Sequence, residues 1–278
     1  MTGQLWLVST PIGNLGDLPP RAVSTLQSCA LICCEDTRHS GKLLSHAGVA
    51  GVRLAIANEH TEDARTAEVL GLLGAGSDVA MLTDAGTPGI SDPGARLVRA
   101  AIDAGHRVSA VPGPAALVMG LVLSGFDTTR FVFEGFLPRT GKDRVQRIAD
   151  IASERRTVVL YEAPHRVQRT VADLLARCGS DRRIALAREL TKLHEETWRG
   201  TLAAAVQHVA AQAPRGEYVI LVEGASVEVV AATDESIVSA LRLALEGGAD
   251  RRAAIATVTV TTGASKRRVY DLALTIPR

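Results

Sequence analysis

Over residues 1–125 short apolar runs alternate with helical patterns, and the connections between them are brief. Strands are predicted at 5–9, 30–34, 52–57, 79–83 and 107–111, with helices near 19–28, 40–46, 61–74 and 93–104. In the last of these helices Leu97, Val98, Ala101 and Ile102 recur on one face. Alternation of this kind constrains the chain to an α/β fold, a parallel sheet covered by helices. A second α/β block follows, with strands at 157–161, 184–187, 196–199 and 218–222 and helices near 143–152, 167–178 and 203–211.

A chain of 278 residues is too long for one ordinary core. The division expected is an N-terminal α/β domain over 1–125, a connection over 126–138, a C-terminal α/β domain over 139–225 and a helical tail over 226–278. Phe131, Phe133 and Phe136 crowd the connection ahead of Pro138, where aromatics would fill a junction. In the tail, Ser265 reads as an N-cap before the basic helix start Lys266-Arg267-Arg268, as in the second half of a small helix–turn–helix.

No apolar run approaches the roughly 18 residues that span a bilayer, and no cleavable leader pattern opens the chain, so a cytoplasmic protein without a membrane partner is expected. The cysteines, Cys29, Cys33, Cys34 and Cys178, lack CxxC spacing and read as reduced thiols, with no metal site. Net charge is only +1, but arginine outnumbers lysine 27 to 4. Guanidinium groups suit RNA phosphates and bases, although G+C-rich coding would give the same bias. Aromatics at 3% argue against a stacking platform for RNA.

Chemistry concentrates at strand ends. Thr10-Pro11-Ile12-Gly13-Asn14-Leu15-Gly16-Asp17-Leu18 and Thr83-Asp84-Ala85-Gly86-Thr87-Pro88-Gly89-Ile90-Ser91-Asp92-Pro93-Gly94 each leave an apolar strand through glycines and prolines. Such loops turn sharply and leave amides open to a ligand, and ligands of open α/β sheets lie beside the carboxyl ends of the strands. Neither loop is a GxGxxG fingerprint, and no Gly-Lys-Ser/Thr sequence occurs, so neither a dinucleotide nor a nucleoside triphosphate is indicated. Asp84 reads as a ligand-facing carboxylate. Asp92 reads as the N-cap of a helix starting at Pro93. Glu35-Asp36-Thr37-Arg38-His39 and Asn58-Glu59-His60 put polar clusters after two successive strands, a pattern that lines the rim of a cleft. In the second block Arg166, Arg188 and Lys192 either contact RNA phosphates or pair with nearby glutamates.

These segments, taken in order, resemble the tetrapyrrole methylase superfamily and, within it, an RNA-modifying branch. The resemblance is carried by residues 10–15, 35–39, 84–88 with 92–94, 112–113, 134–138, 161–162 with 165–166, 187–192 and 216–217. It implies two unlike α/β domains with S-adenosylmethionine in the cleft between them, plus a small helical C-terminal extension. It also implies a homodimer and 2′-O-methylation of a cytidine in the decoding region of 16S ribosomal RNA, with the RNA met within the 30S subunit. The cofactor would touch Pro11, Ile12, Gly13, Asn14, Leu15, Asp84, Thr87, Pro88, Ala115, Ala116, Tyr161 and Ala187. Ala115-Ala116 departs from relatives that carry hydroxyl residues there, which leaves only main-chain hydrogen bonds at that position. A ribose hydroxyl is a weak acid, so a base would assist; Glu35, Asp36, His60 and Glu189 are the candidates. Arg38, Arg166, Arg188, Lys192, Lys266, Arg267 and Arg268 are the candidate RNA contacts. Two other functions remain open at this point: methylation of a small tetrapyrrole, which has no need of the basic tail, and a non-catalytic ribosome-binding factor that senses the cofactor.

Overall fold

The computed structural model describes residues 3–58, 61–211, 213–226 and 232–276. Residues up to 225 form one unit carrying two five-stranded sheets, and residues from 226 onward form a second. The first sheet contains β1 (Gln4–Val8), β2 (Leu31–Cys34), β3 (Arg53–Ile56), β4 (Val79–Met81) and β5 (Arg107–Val111) in the order β3-β2-β4-β1-β5. Every pairing in it is parallel. The intervening helices are α1 (Pro20–Ser28), α2 (Thr37–His46), α3 (Glu62–Gly74) and α4 (Ala95–Asp103), and α5 (Ala116–Ser124) follows β5.

Both faces of this sheet are covered, which is why β2 and β4 read as unbroken apolar runs. Leu31, Cys33, Val79 and Met81 pack with Leu73 of α3 and Leu97 and Ala101 of α4. Ile32, Cys34 and Ala80 turn to the other face, against Ala22 and Leu26 of α1 and Leu44 of α2. Burial pushes the Cys29 and Cys33 thiols up to about 12, with Asp78 adding to the effect at Cys29.

The second sheet contains β6 (Phe131–Phe136), β7 (Thr157–Glu162), β8 (Arg183–Arg188), β9 (Glu196–Thr201) and β10 (Tyr218–Val222) in the order β6-β7-β10-β8-β9. Only the β6–β7 pair is parallel. The helices α6 (Lys142–Ser153), α7 (Pro164–Cys178) and α8 (Leu202–Ala211) pack on one face through Ile148, Ile151, Val167, Val171, Leu174 and Val209. The opposite face receives α5: Leu117 and Leu121 lie with Val159, Ala185, Val219 and Leu221. A Cβ at Gly120 would come within 2.9 Å of Val219 Cγ1, so the helix needs glycine to approach the sheet this closely.

β6 corrects an expectation. Residues 131–136 are an edge strand rather than part of a connection, in register with Thr157–Tyr161 and interrupted by a bulge between Phe133 and Gly135. Its aromatic side chains supply strand contacts, with Phe133 and Phe136 edge-on to Tyr161 at 4.9 and 5.7 Å.

The C-terminal unit contains α9 (Asp234–Glu246), α10 (Arg251–Thr262) and α11 (Lys266–Leu274) around Ile237, Leu241, Ile255, Val258, Val269 and Ala273. Each helix has a side-chain cap: Thr233 accepts from Ser236 N, Asp250 from Ala253 N and Ser265 from Arg268 N. Caps of this type contribute about 1 kcal/mol each. Among the described residues no helix is long and apolar enough to cross a membrane.

Candidate functional site

The loops after β1, β4 and β5 are tied into one wall. Thr10 N donates to Gly86 O at 2.8 Å and Gly86 N returns a bond to Thr10 O at 3.1 Å. Thr10 Oγ1 donates to Thr83 O, Ser9 Oγ lies 3.2 Å from Thr87 Oγ1, and Thr87 Oγ1 donates to Pro114 O. Gly86 has a φ of 83°, which a side chain would strain. At Gly113 an added Cβ would stand 2.8 Å from Ser9 Cβ.

Facing this wall are the ends of β6 and β7, the start of α7, and the segments around Leu190 and Glu217. They enclose a cavity of about 560 Å3, a size suited to a small-molecule ligand. Ile12, Ala85, Ile90, Ala115, Ala116, Phe136, Leu190 and Val219 supply its apolar lining. Glu35, Asp84, Asp92 and Glu217 bring carboxylates, and Lys192 and His165 are the basic side chains there. Tyr161 Oη accepts from Leu117 N at 3.0 Å, fixing the α5 start to β7 across the cavity floor. Burial raises the Tyr161 phenol above its ordinary range, so it stays a neutral hydroxyl.

The two aspartates of the β4 loop differ. Asp84 buries Oδ1 without a hydrogen-bond partner in the protein. An enclosed carboxylate oxygen left unpaired is costly, so this atom is set to receive a donor from a ligand. Asp92 does not cap α4. The helix starts at Ala95 with Gly94 as its N-cap and no side-chain cap bond. Proline at 93 biases Asp92 away from helical geometry, and the chain turns through left-handed residues at Ser91 (φ 63°) and Gly94 (φ 124°). The side chain therefore belongs to the cavity wall. Burial, with Glu35, Asp84 and Glu217 nearby, raises its carboxyl to about 7.

Of the residues expected at the cofactor, Ile12, Asp84, Thr87, Ala115, Ala116 and Tyr161 line the cavity. Pro11, Gly13, Asn14, Leu15, Pro88 and Ala187 are not part of the lining. Asn14 instead accepts from Gly16 N at the start of a short 3-10 turn, Leu15–Asp17. Gly13 backs onto the 190–192 segment, where an added Cβ would meet Lys192 Cγ at 2.4 Å. Ala187 is fully buried in the β8 core with Val159 and Val219, because its position in the pleat turns it toward α5.

Among the proposed bases, Glu35 lines the cavity. Asp36 caps α2 through Arg38 N and pairs with the Arg38 guanidinium, which holds its carboxyl down at about 2. Glu189 accepts from Lys192 Nζ at 2.9 Å and Glu217 N at 3.0 Å, and Lys192 holds its carboxyl below the usual range. Neither is a strong base in this setting. His60 lies outside the described residues.

The candidate RNA contacts also separate. Arg38 is highly exposed beside Asp36. Arg166 is committed to buried Glu162 and to Leu137 O, and Glu162 also takes a bond from Thr170. Arg188 pairs with Glu196, and Lys192 bridges Glu189 and Glu217. Lys266 and Arg267 stand exposed on the first turn of α11, while Arg268 pairs with Asp234. Sequence reasoning missed Asp92, Glu162, His165 and Glu217 as lining residues. The Asp92 signal was present as a carboxylate inside the glycine-rich loop, but the following proline made it read as a cap.

Residues 4–206 match the family described as Tetrapyrrole (Corrin/Porphyrin) Methylases. The chain belongs to the tetrapyrrole methylase family. This methylase is 44% identical over 273 residues to the ribosomal RNA small subunit methyltransferase I of Synechocystis sp., a match covering 98% of each chain. It is 47% identical to the protein of the same name from Xylella fastidiosa strain Temecula1, over 81% of this chain and 82% of that one. Its fold is similar to uroporphyrin-III-C-methyltransferase from Thermus thermophilus, with a TM-score of 0.54, 21% identity, and coverage of 81% and 94%. The chain thus has an α/β methylase fold whose family uses cofactors of the S-adenosylmethionine type.

Proposed function

We propose that this methylase transfers a methyl group from S-adenosylmethionine to the ribose 2′-hydroxyl of a cytidine in the decoding region of 16S ribosomal RNA, acting on the 30S subunit as a homodimer. The observation that carries the reading is the near-complete match to a ribosomal RNA methyltransferase, which extends over 98% of both chains and so takes in most of the helical tail.

The cavity fits the cofactor. The unpartnered Asp84 Oδ1 offers an acceptor to a ribose hydroxyl or an ammonium group. Ala115 and Ala116 leave room for a flat ring against the start of α5, and Tyr161 and Thr87 add polar edges. When bound, the cofactor supplies an activated methyl group on a cationic sulfonium. The protein's task is to hold the hydroxyl oxygen in line with that group, exclude water and receive a proton. Positioning of this kind provides much of a transferase's acceleration. Ile12, Ile90, Phe136 and Leu190 make the apolar surround that excludes water.

Of the candidate RNA contacts, Lys266 and Arg267 are exposed with no ion pair among the described residues, and Arg38 is highly exposed though paired with Asp36; these are the cations offered to RNA phosphates. The homodimer is supported by α5, whose sequence is apolar all round. Val118, Met119, Val122 and Leu123 remain exposed on it, a face suited to a second copy.

The test is to offer the purified protein S-adenosylmethionine with 30S subunits, free 16S RNA or a tetrapyrrole, and to analyse the digested RNA nucleosides. 2′-O-methylcytidine from RNA is the expected product. Methylated tetrapyrrole without methylated RNA would replace this reading with the small-substrate one, and cofactor binding without transfer to either would point to a sensing role.

A further inference from the structure

We propose that Asp92 is the group that accepts the proton of the attacking ribose hydroxyl. This rests on the RNA 2′-O-methylation reading above.

The carboxylates around the cavity can be separated by what already occupies them, and Glu35 at the end of β2 is not free. Glu162 is bound by Thr170, Arg166 and Ala163 N. Glu217 holds Lys192, and Glu189 and Asp36 are tied down by Lys192 and Arg38. Asp84 buries one oxygen that awaits a donor, which makes it a holding group. Asp92 lines the cavity and has no hydrogen-bond or ion-pair partner among the described residues. It is also half-buried, open enough for a substrate to reach.

The backbone is built to aim it. Positive φ angles at Gly86, Gly89, Ser91 and Gly94 fold the loop back on itself, and Ser91 adopts one without being glycine. Backbone strain of this sort is characteristic of functional loops. Facing Asp92 are Glu35 from the end of β2, Asp84 from its own loop, Glu217 before β10 and Tyr161 of β7. Glu162, His165, Lys192 and Tyr218 are the other ionisable groups on the cavity wall. Burial and the three carboxylates make Asp92 a stronger base than an ordinary aspartate, matched to neutral pH.

The step balances. The hydroxyl O–H pair becomes the new O–CH3 bond as the proton passes to an Asp92 oxygen. The C–S pair stays on sulfur, so sulfonium and carboxylate become thioether and carboxylic acid. The proton then leaves to water.

The test compares wild type, Asp92→Asn and Asp92→Glu in single turnover on 30S subunits across pH, with cofactor and RNA binding measured separately. Wild-type rates should rise with pH and level off at or below about 7, because the bound sulfonium favours the ionised carboxylate. Asp92→Asn should bind both partners normally, lose about 10²–10⁴-fold in rate and lose that pH limb, whereas Asp92→Glu should recover part of both. A readout independent of turnover is thermal unfolding. A carboxyl raised in the fold favours the folded state at low pH, and this advantage is lost as pH rises through about 7. Relative to Asp92→Asn, wild type should lose stability between the ordinary aspartate range, about pH 4, and about pH 7, with no further difference above it. An Asp92→Asn enzyme with near-normal rate and an intact pH limb would overturn the proposal. So would loss of cofactor binding, which would make Asp92 a holding residue. Failure of wild type to methylate RNA at all would instead overturn the functional reading on which it rests.

Discussion

Asp84 and Asp92 occupy one loop and one cavity but meet different surroundings. That Asp84 faces a cavity was legible because it directly follows an apolar strand, upstream of any capping position. Removing it leaves the core intact and deprives a ligand of its acceptor. Asp84→Ala is therefore expected to fold normally and to weaken S-adenosylmethionine binding by the worth of a buried charged hydrogen bond, about 1.5–3 kcal/mol. Titration calorimetry reads this directly, and unchanged affinity would take Asp84 out of the site. Asp92 was misread for a physical reason. Asp-Pro before an amphipathic run satisfies every local rule for a helix start, and only the left-handed turns at Ser91 and Gly94 carry α4 two residues further on. Such dihedrals are set by the packed loop and leave no periodic trace in sequence.

At the scale of elements, strand-end loops were readable because parallel sheets place ligands there, and the alternating pattern fixed which loops those were. The edge strand β6 was not, because three phenylalanines near a proline look the same in a junction as in a strand. Its identity depends on the partner β7. The contact between the first loop and the 190–192 segment was equally invisible, being long-range. It makes Gly13 a joint between the two halves of the cavity wall: an added Cβ would meet Lys192 Cγ at 2.4 Å, Thr191 Oγ1 at 2.8 Å and Leu190 O at 3.0 Å. Gly13→Val should cost about 1–3 kcal/mol through overpacking, seen as a lowered unfolding midpoint, with cofactor affinity reduced alongside. A variant of unchanged stability would show that the segments part freely. In the tail, Lys266 and Arg267 are exposed while Arg268 pairs with Asp234. The double variant Lys266→Ala/Arg267→Ala spares that ion pair. If both residues meet phosphates, the slope of log affinity for 16S RNA against log salt should flatten by about 1.5. Cofactor affinity should stay the same. An unaltered slope would remove α11 from the RNA interface.

Taken as a whole molecule, the chain joins a methylase core, with its cavity inside the 3–225 unit, to a separately packed three-helix unit bearing exposed cations. Core and tail were both legible, since each rests on local patterns: period-two and period-3.6 apolar spacing, and the Ser265 cap. The central claim is that the cavity holding Asp84 performs ribose methylation of 16S RNA. The most direct test is nucleoside mass spectrometry of 16S RNA from cells lacking the gene, then supplied with either wild type or Asp84→Ala. The account predicts that 2′-O-methylcytidine disappears on deletion, returns with wild type and returns weakly or not at all with Asp84→Ala. Persistence of the modification in the deleted cells, or its full recovery with Asp84→Ala, would contradict it.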